Sequence, residues 1–322
     1  MRQDWVILHG GALGDLALTM QLVLRLPGID RSEALHVVSR TDPGDLSICR
    51  PRIVRTSSET MGLHWLFGDH DDAPPWALLD QVRGRRVLSA LGGTRTKVHE
   101  RIAALRPAAL YSIDPRPVDG VQRHITQQWQ SQLEAQGLLV PKCIHQRPTQ
   151  RVLGVPDELR ERGGALLRRT GCDERAIVIH LGSGGRRKCW SLSCFVDVAR
   201  RLRDDARSSV CLVTGPVEEE LWSASELDAL AQDFPLLRCF VADDLVGLVA
   251  AARVLVGNDA GPSHLAALLG TPTVCIFGPT SPLIWQALGL CSTIIWGDPA
   301  KSAATWGVSP GAVADVVLSL TK

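Results

Sequence analysis

Short apolar runs bounded by glycine alternate along the chain with longer stretches whose apolar residues recur every three or four positions. The first run, Trp5 to Leu8, passes through a turn holding Gly10, Gly11 and Gly14 into an amphipathic stretch that stops near Pro27. A strand, a glycine turn and a helix in that order open an α/β unit. Further strand-like runs occur at ALHVVS and RVLSAL, with helix-like stretches between and after them, RHITQQWQSQLEAQGL among them. Residues 50–76 have poor periodicity and receive no assignment. From Gly137 to Pro156, three prolines and no sustained period suit a linker.

Beyond the linker the alternation is sharper. Helix ELRERGGALLRRT leads to strand AIVIHLG, the glycine-rich loop GSGGRRKCW, helix LSCFVDVARRLRD, strand SVCLVTG and helix EEELWSASELDALAQD. Strand LLRCF, helix DLVGLVAAA, strand VLVGND, helix SHLAALLG and strand TVCIFG follow, and VSPGAVADVVLSLTK reads as a capped amphipathic helix. This order predicts a parallel sheet covered by helices on both faces, with ligand-binding loops at the carboxyl ends of the strands. The whole chain reads as two Rossmann-like lobes with a cleft between them.

Composition narrows the classes of function. With 322 residues and 45% hydrophobic content the chain can bury a substantial core. Its apolar runs fall far short of the roughly 18 residues needed to cross a bilayer. Asp4 precedes the first of them, unlike a signal peptide, so the expected location is the cytoplasm. Nine cysteines without a CxxC pair read as reduced small hydrophobes, and Cys189, Cys194 and His180 match no zinc spacing, so no metal is expected. A net charge of +1 gives no electrostatic argument for nucleic acid. Only five lysines occur, which makes Lys188, inside the second glycine loop, conspicuous.

Three loops carry candidate chemistry. In HGGALGD, Asp15 stands where the turn becomes a helix; glycines admit close backbone approach, and a helix N-terminus attracts anions. The spacing is GxxxG rather than GxGxxG, which disfavours a hydride-transfer cofactor. Asp15 could equally serve only the helix dipole. In HLGSGGRRKCW, small residues Gly182 to Gly185 expose backbone donors, and Lys188 can reach phosphate oxygens, although a solvated basic turn has the same composition. The loop lacks a GKS/T ending and is not a Walker loop. In GNDAGPSHLAALLG, Gly261 and Pro262 shape the bend and Ser263 and His264 begin the helix, while Asp259 could cap that helix or accept a sugar hydroxyl. Between the last two, TGPVEEE puts Glu218 after a strand, where it could receive a ribose diol or merely begin a helix.

Taken together, GALGDLALT, HLGSGGRRKCWSLSCFVDVARRL, TGPVEEE and VGNDAGPSHLAALLGTPTVCIFGPTSP resemble the ordered blocks of glycosyltransferase family 9, the inverting family that contains the ADP-heptose:lipopolysaccharide heptosyltransferases. The resemblance implies a GT-B fold, two facing Rossmann-like domains with parallel sheets and an interdomain cleft. Domain bounds of 1–150 for the acceptor side and 151–305 for the nucleotide sugar follow, with a helix over 306–322 returning to the first domain. It implies Asp15 as the general base on an acceptor hydroxyl and Lys188 at the donor diphosphate. Gly14, Ser183, Gly184, Glu218, Asp259, Gly261, Pro262, Ser263 and His264 match donor-binding positions. No cofactor is implied beyond the nucleoside-diphosphate sugar itself, ADP-heptose in the family, and the acceptor would be a glycan or glycolipid such as the lipopolysaccharide core, met at the inner face of the cytoplasmic membrane. His9 replaces the family's usual residue before the glycines, Ser191 replaces the proline after Trp190, and residues 46–106 match the acceptor region of no heptosyltransferase subgroup. Two other readings remain, a nucleotide-sugar epimerase on the same scaffold and a non-catalytic binding relative.

Overall fold

A computed structural model describes residues 4–46, 51–68, 72–141 and 153–321. The chain divides into two compact units, Met1–Pro43 with Ser47–Arg151 and Gly44–Leu46 with Val152–Lys322. Most of the expected linker, residues 142–152, lies outside the described residues.

The first unit contains β1 (Trp5–His9), α1 (Leu13–Val23), β2 (Ala34–Ser39), β3 (Arg52–Ser57), α2 (Trp76–Val82), β4 (Arg86–Ala90), α3 (Lys97–Ala104), β5 (Ala109–Ser112) and α4 (Ile125–Glu134). Its sheet has the order β3-β2-β1-β4-β5 and every pairing is parallel. All five residues of β1 are buried, as a strand flanked on both sides and covered on both faces requires. The unassigned stretch 50–76 holds β3 and a 3-10 turn at Leu63–Phe67. β3 is an edge strand in which Arg52 and Arg55 alternate with half-buried residues, so it has no apolar run by which to recognise it.

The second unit contains α5 (Asp157–Arg169), β6 (Ile177–His180), α6 (Leu192–Arg200), β7 (Val210–Thr214), α7 (Pro216–Leu221), α8 (Ala224–Asp233), β8 (Leu236–Arg238), α9 (Ala242–Ala251), β9 (Val254–Asn258), α10 (Gly261–Leu269), β10 (Thr273–Phe277), α11 (Pro282–Trp285), β11 (Ser292–Trp296) and α12 (Pro310–Ser319). The sheet order is β11-β10-β9-β6-β7-β8, again parallel throughout. Helices α5 and α9 touch backbone to backbone. A Cβ on Gly163 would fall 2.1 Å from the Gly247 carbonyl oxygen, and one on Gly247 would fall 2.2 Å from that of Leu159. Two glycines in helix interiors, each costing about 1 kcal/mol relative to alanine, are thus kept by packing.

Three expectations change. The single helix EEELWSASELDALAQD is two helices, because Ser223 caps α8: its hydroxyl accepts from the Glu226 amide at 3.3 Å while Glu226 accepts from the Ser223 amide at 2.9 Å. β11 escaped notice, being a half-exposed edge strand. The final helix, expected to return to the first lobe, instead packs on α6 and β10, where Val313, Ala314 and Val317 join the core of the second unit with Phe195 and Trp306.

Both sheets reverse their strand order at the first strand of the unit. In the first unit the reversal lies between β1 and β4, in the second between β6 and β9. Helices on opposite faces diverge there, leaving a crevice beyond the strands' carboxyl ends.

Candidate functional site

In the second unit, the loop after β6 and the turn after β9 meet at that switch point, and Asn258 joins them. Its side chain is fully buried, donates to the carbonyls of Leu181 (2.9 Å) and Gly182 (3.0 Å) and accepts from the Trp190 amide at 2.8 Å. Both ends of the GSGGRRKCW loop are therefore held by one amide. Ser183 adds a hydrogen bond to the Asp259 carbonyl at 2.7 Å, and Ser263 one to the Asn258 carbonyl at 2.7 Å. Between these braces the loop is open: a Cβ on Gly184 or Gly185 would meet nothing within 4 Å. Lys188 closes the 3-10 turn Arg186–Lys188.

Asp259 is the electrostatic centre. One carboxylate oxygen, Oδ1, lies 3.0 Å from His264 Nε2; the other, Oδ2, accepts from the Thr280 hydroxyl at 2.7 Å and lies 3.9 Å from the Lys188 ammonium. Burial pushes its pKa up, but the hydrogen bond and charge of His264, the Thr280 hydroxyl and the Lys188 charge outweigh burial and hold it below the ordinary carboxylate value. Because an ionised carboxylate can only accept, His264 Nε2 carries the proton facing it, and the buried Nδ1 has no hydrogen-bond partner among the described residues. Of the two roles open to Asp259 in the sequence, the helix cap is absent: Ala260 is the N-cap residue of α10, without a side-chain cap, since the Asp259 carboxylate turns away toward His264 and Thr280.

Glu218 stands at the third position of α7 and accepts from the Gly215 amide at 2.7 Å, closing that helix's N-terminus. Only 3% of it is exposed, and its Oε1 lies 3.6 Å from His180 Nε2. Burial lowers the His180 pKa against the opposing pull of Glu218. Gly182 makes this packing possible, because a Cβ there would fall 1.8 Å from Glu218 Oε1.

In the first unit, Asp15 occupies the equivalent third position of α1 and its Oδ2 accepts from the Ala12 amide at 3.2 Å. Gly14 lies in the same helical turn. A Cβ on Gly11 would fall 2.9 Å from Asp15 Oδ2 and 3.0 Å from His9 Cε1, and the Gly11 carbonyl accepts from Thr41. His9 is buried at the end of β1, and burial brings its pKa down to about 4.

The second unit thus gathers Ser183, Gly184, Lys188, Glu218, Asp259, Gly261, Pro262, Ser263 and His264 around the ends of β6, β7 and β9. Gly14 and Asp15 stand on the first unit. Ser183 and Ser263 are engaged as braces, so among the gathered residues the open backbone at Gly184, the half-exposed Lys188 side chain and the start of α10 are the groups suited to a phosphate. Sequence reasoning placed Asn258 in the bend after β9 without giving it a role, and gave none to Thr280. Both lie inside the quoted block GNDAGPSHLAALLGTPTVCIFGPTSP, but only their partners reveal their roles.

A Rossmann-type sheet with a cationic, glycine-rich loop and a helix N-terminus at its switch point defines a class of anion-binding, nucleotide-type sites. The profile of glycosyltransferase family 9 (heptosyltransferase) matches residues 122–306, and the chain belongs to this family. Lipopolysaccharide heptosyltransferase 3 of Escherichia coli is 26% identical over 153 residues, 46% of this chain and 44% of that protein. A putative glycosyltransferase of Haemophilus influenzae is 32% identical over 108 residues, 32% of this chain and 30% of that protein. The chain therefore aligns with less than half the length of these curated relatives. Among solved structures, the glycosyl transferase family 9 protein from Veillonella parvula superposes with a TM-score of 0.72 at 14% identity, over 99% of this chain and 97% of that one. E. coli ADP-heptose lipopolysaccharide heptosyltransferase II gives 0.65 at 18% identity over 99% and 98%. Two parallel α/β sheets and these neighbours place the fold in the GT-B class.

Proposed function

We propose that the protein is an inverting glycosyltransferase that moves a sugar from a nucleoside diphosphate to a glycan acceptor, with ADP-heptose and a lipopolysaccharide core as the family's candidates for the pair. The observation that carries this reading is the cluster fastened by Asn258, in which Asp259 holds His264, Thr280 and Lys188 around an open glycine loop. On this reading the Gly184–Gly185 backbone and the first turn of α10 bind the diphosphate. The Lys188 ammonium stabilises the charge that grows on the departing nucleoside diphosphate. Asp259 neutralises the lysine when no phosphate is bound and keeps the His264 proton on Nε2. Glu218 stays within the protein and acts by fixing the loop through Gly182 and Gly215. Asp15, half-buried at a helix start, takes the proton from the acceptor hydroxyl as that oxygen attacks the anomeric carbon, so configuration inverts.

A thermal-shift panel of ADP, UDP and GDP, with their sugars, tests the donor. Binding to the folded state at 100 times Kd stabilises by about 2.7 kcal/mol, so ADP and ADP-heptose should raise Tm clearly and UDP and GDP little. Absence of a shift with every nucleotide would remove the reading. Transfer of heptose from ADP-heptose to a deacylated core oligosaccharide, followed by mass spectrometry, then separates a transferase from a binding relative.

A further inference from the structure

At the carboxyl ends of β10 and β11 lies a cavity of about 550 Å³ whose walls include Pro279, Trp296, Asp298, Lys301 and Trp306. Pro279 directly precedes Thr280, the residue bonded to Asp259, so the segment after β10 contributes to the cavity wall and, one residue on, to the candidate donor site.

The floor is rigid. Trp306 is buried beneath two glycines: a Cβ on Gly278 would fall 2.3 Å from its ring, and one on Gly297 would fall 2.6 Å from its Cβ. The loop that carries it is bonded to the sheet by Gly297 N–H to Phe277 (2.8 Å), to itself by Asp298 N–H to Trp306 (2.7 Å), and to the GSGGRRKCW loop by the Trp190 indole N–H to Thr305 (2.9 Å). Trp306 has φ of 52°, a left-handed conformation that is strained for a bulky residue and persists only where its surroundings hold it.

Trp296 differs. It ends β11 in register with Phe277, yet it is 56% exposed, while Phe277 is fully buried. Large aromatic rings are ordinarily well covered, and this one stands on the cavity wall. Beside it, Asp298 receives the Ala300 amide on Oδ1 at 2.9 Å, and Lys301, its stem against Gly307, makes no ion pair among the described residues. A flat apolar face flanked by one carboxylate and one ammonium matches a pyranose ring, which presents C–H groups on one face and hydroxyls around its rim. Small-ligand sites are concave, lined mainly by apolar and aromatic side chains, with a few polar groups that fix orientation.

We propose that this cavity is a saccharide subsite in which Trp296 stacks under a pyranose ring and Asp298 and Lys301 hydrogen-bond its hydroxyls. The assignment rests on the transferase reading only for the origin of that ring, a sugar of the acceptor glycan or of the donor.

The test is saturation-transfer NMR on the full chain with methyl hexopyranosides at millimolar concentration, in the presence of ADP. The wild type should transfer saturation to the ring C–H protons. Trp296→Ala should lower the signal roughly threefold to tenfold, the range expected for loss of an aromatic contact, Trp296→Phe should retain most of it, and Lys301→Gln should reduce it. No transfer in the wild type, or equal transfer in Trp296→Ala, would overturn the subsite. Replacing ADP with ADP-heptose identifies the source: an undiminished glycoside signal assigns the ring to the acceptor, a competed one to the donor, and either keeps the subsite. An ADP-induced Tm shift run on every variant keeps the two readings apart. Its presence throughout, with no glycoside signal, sinks the subsite alone, whereas its absence in the wild type sinks the donor reading and leaves the glycoside result standing.

Discussion

The two units end their first strands in closely similar ways and use the result differently. In each, a buried histidine closes the strand, a glycine follows, and the carboxylate at the third position of a helix reaches back to the amide at that helix's start. His9, Gly11 and Asp15 form the set in the first unit; His180, Gly182 and Glu218 form it in the second. The difference is depth. Asp15 is half-buried and its bond to the helix start is 3.2 Å, while Glu218 is sealed behind Gly182 with a bond of 2.7 Å. A capping carboxylate near solvent can still exchange a proton with a ligand; one closed in among protein atoms serves as a fastening.

The sharpest way to break this contrast is Asp15→Asn. If Asp15 is the base, transfer should fall by about 10²–10⁴-fold, the usual worth of a general base, while the ADP-induced Tm shift is unchanged. Turnover equal to the wild type would remove Asp15 from that role. Next in size is the pair Gly182→Ala and Gly11→Ala. The first must displace a buried carboxylate, so about 3 kcal/mol of stability should be lost, at the upper end for overpacking. The second meets Asp15 near solvent and the edge of the His9 ring and should cost about 1 kcal/mol, the lower end of the same scale. Urea melts that gave equal losses would show that the two carboxylates are equally fixed.

Lys188→Ala should weaken ADP binding by about 1.5–3 kcal/mol, as for a hydrogen bond from a charged donor, with little effect on folding because the side chain is half-exposed. Calorimetry showing unchanged affinity would place the diphosphate elsewhere. The last effect depends on pH and concerns His9. Its pKa in the folded state, about 4, lies below the unfolded value of about 6.5, so the unfolded chain binds the extra proton between those values. Stability from this group is full above pH 6.5 and drains as pH falls toward 4, by about 2 kcal/mol at pH 5. His9→Gln should flatten that part of the pH–stability curve, and an unaltered slope would show that His9 is protonated without penalty.

Most elements were legible because strands buried on both faces are continuous apolar runs, as in WVILH and TVCIF, and because glycine and proline mark their ends. Edge strands β3, β5 and β11 were not, since half-exposed strands need no apolar pattern. The break between α7 and α8 was readable in principle from Ser223 and Glu226, a capping-box pair, but lay inside an apolar period that favoured one helix. At the site, Lys188, Asp259 and His264 could be picked out by residue type and position. Whether Asp259 capped a helix or organised a cluster could not, because the choice depends on Thr280, twenty-one positions away.

The sequence by itself determined two parallel α/β units, the strand-end loops and the family, because these follow from local periodicity and from contiguous motifs. Only the tertiary structure decided which polar groups fasten and which remain open. Asn258 bonds across 68 to 77 positions to hold the second glycine loop, Glu218 is closed in by the missing side chain of Gly182, and the last helix stays with the second unit. Hydrogen-bond partners and burial are set by parallel strands whose neighbours come from distant parts of the chain, and no local pattern carries that information.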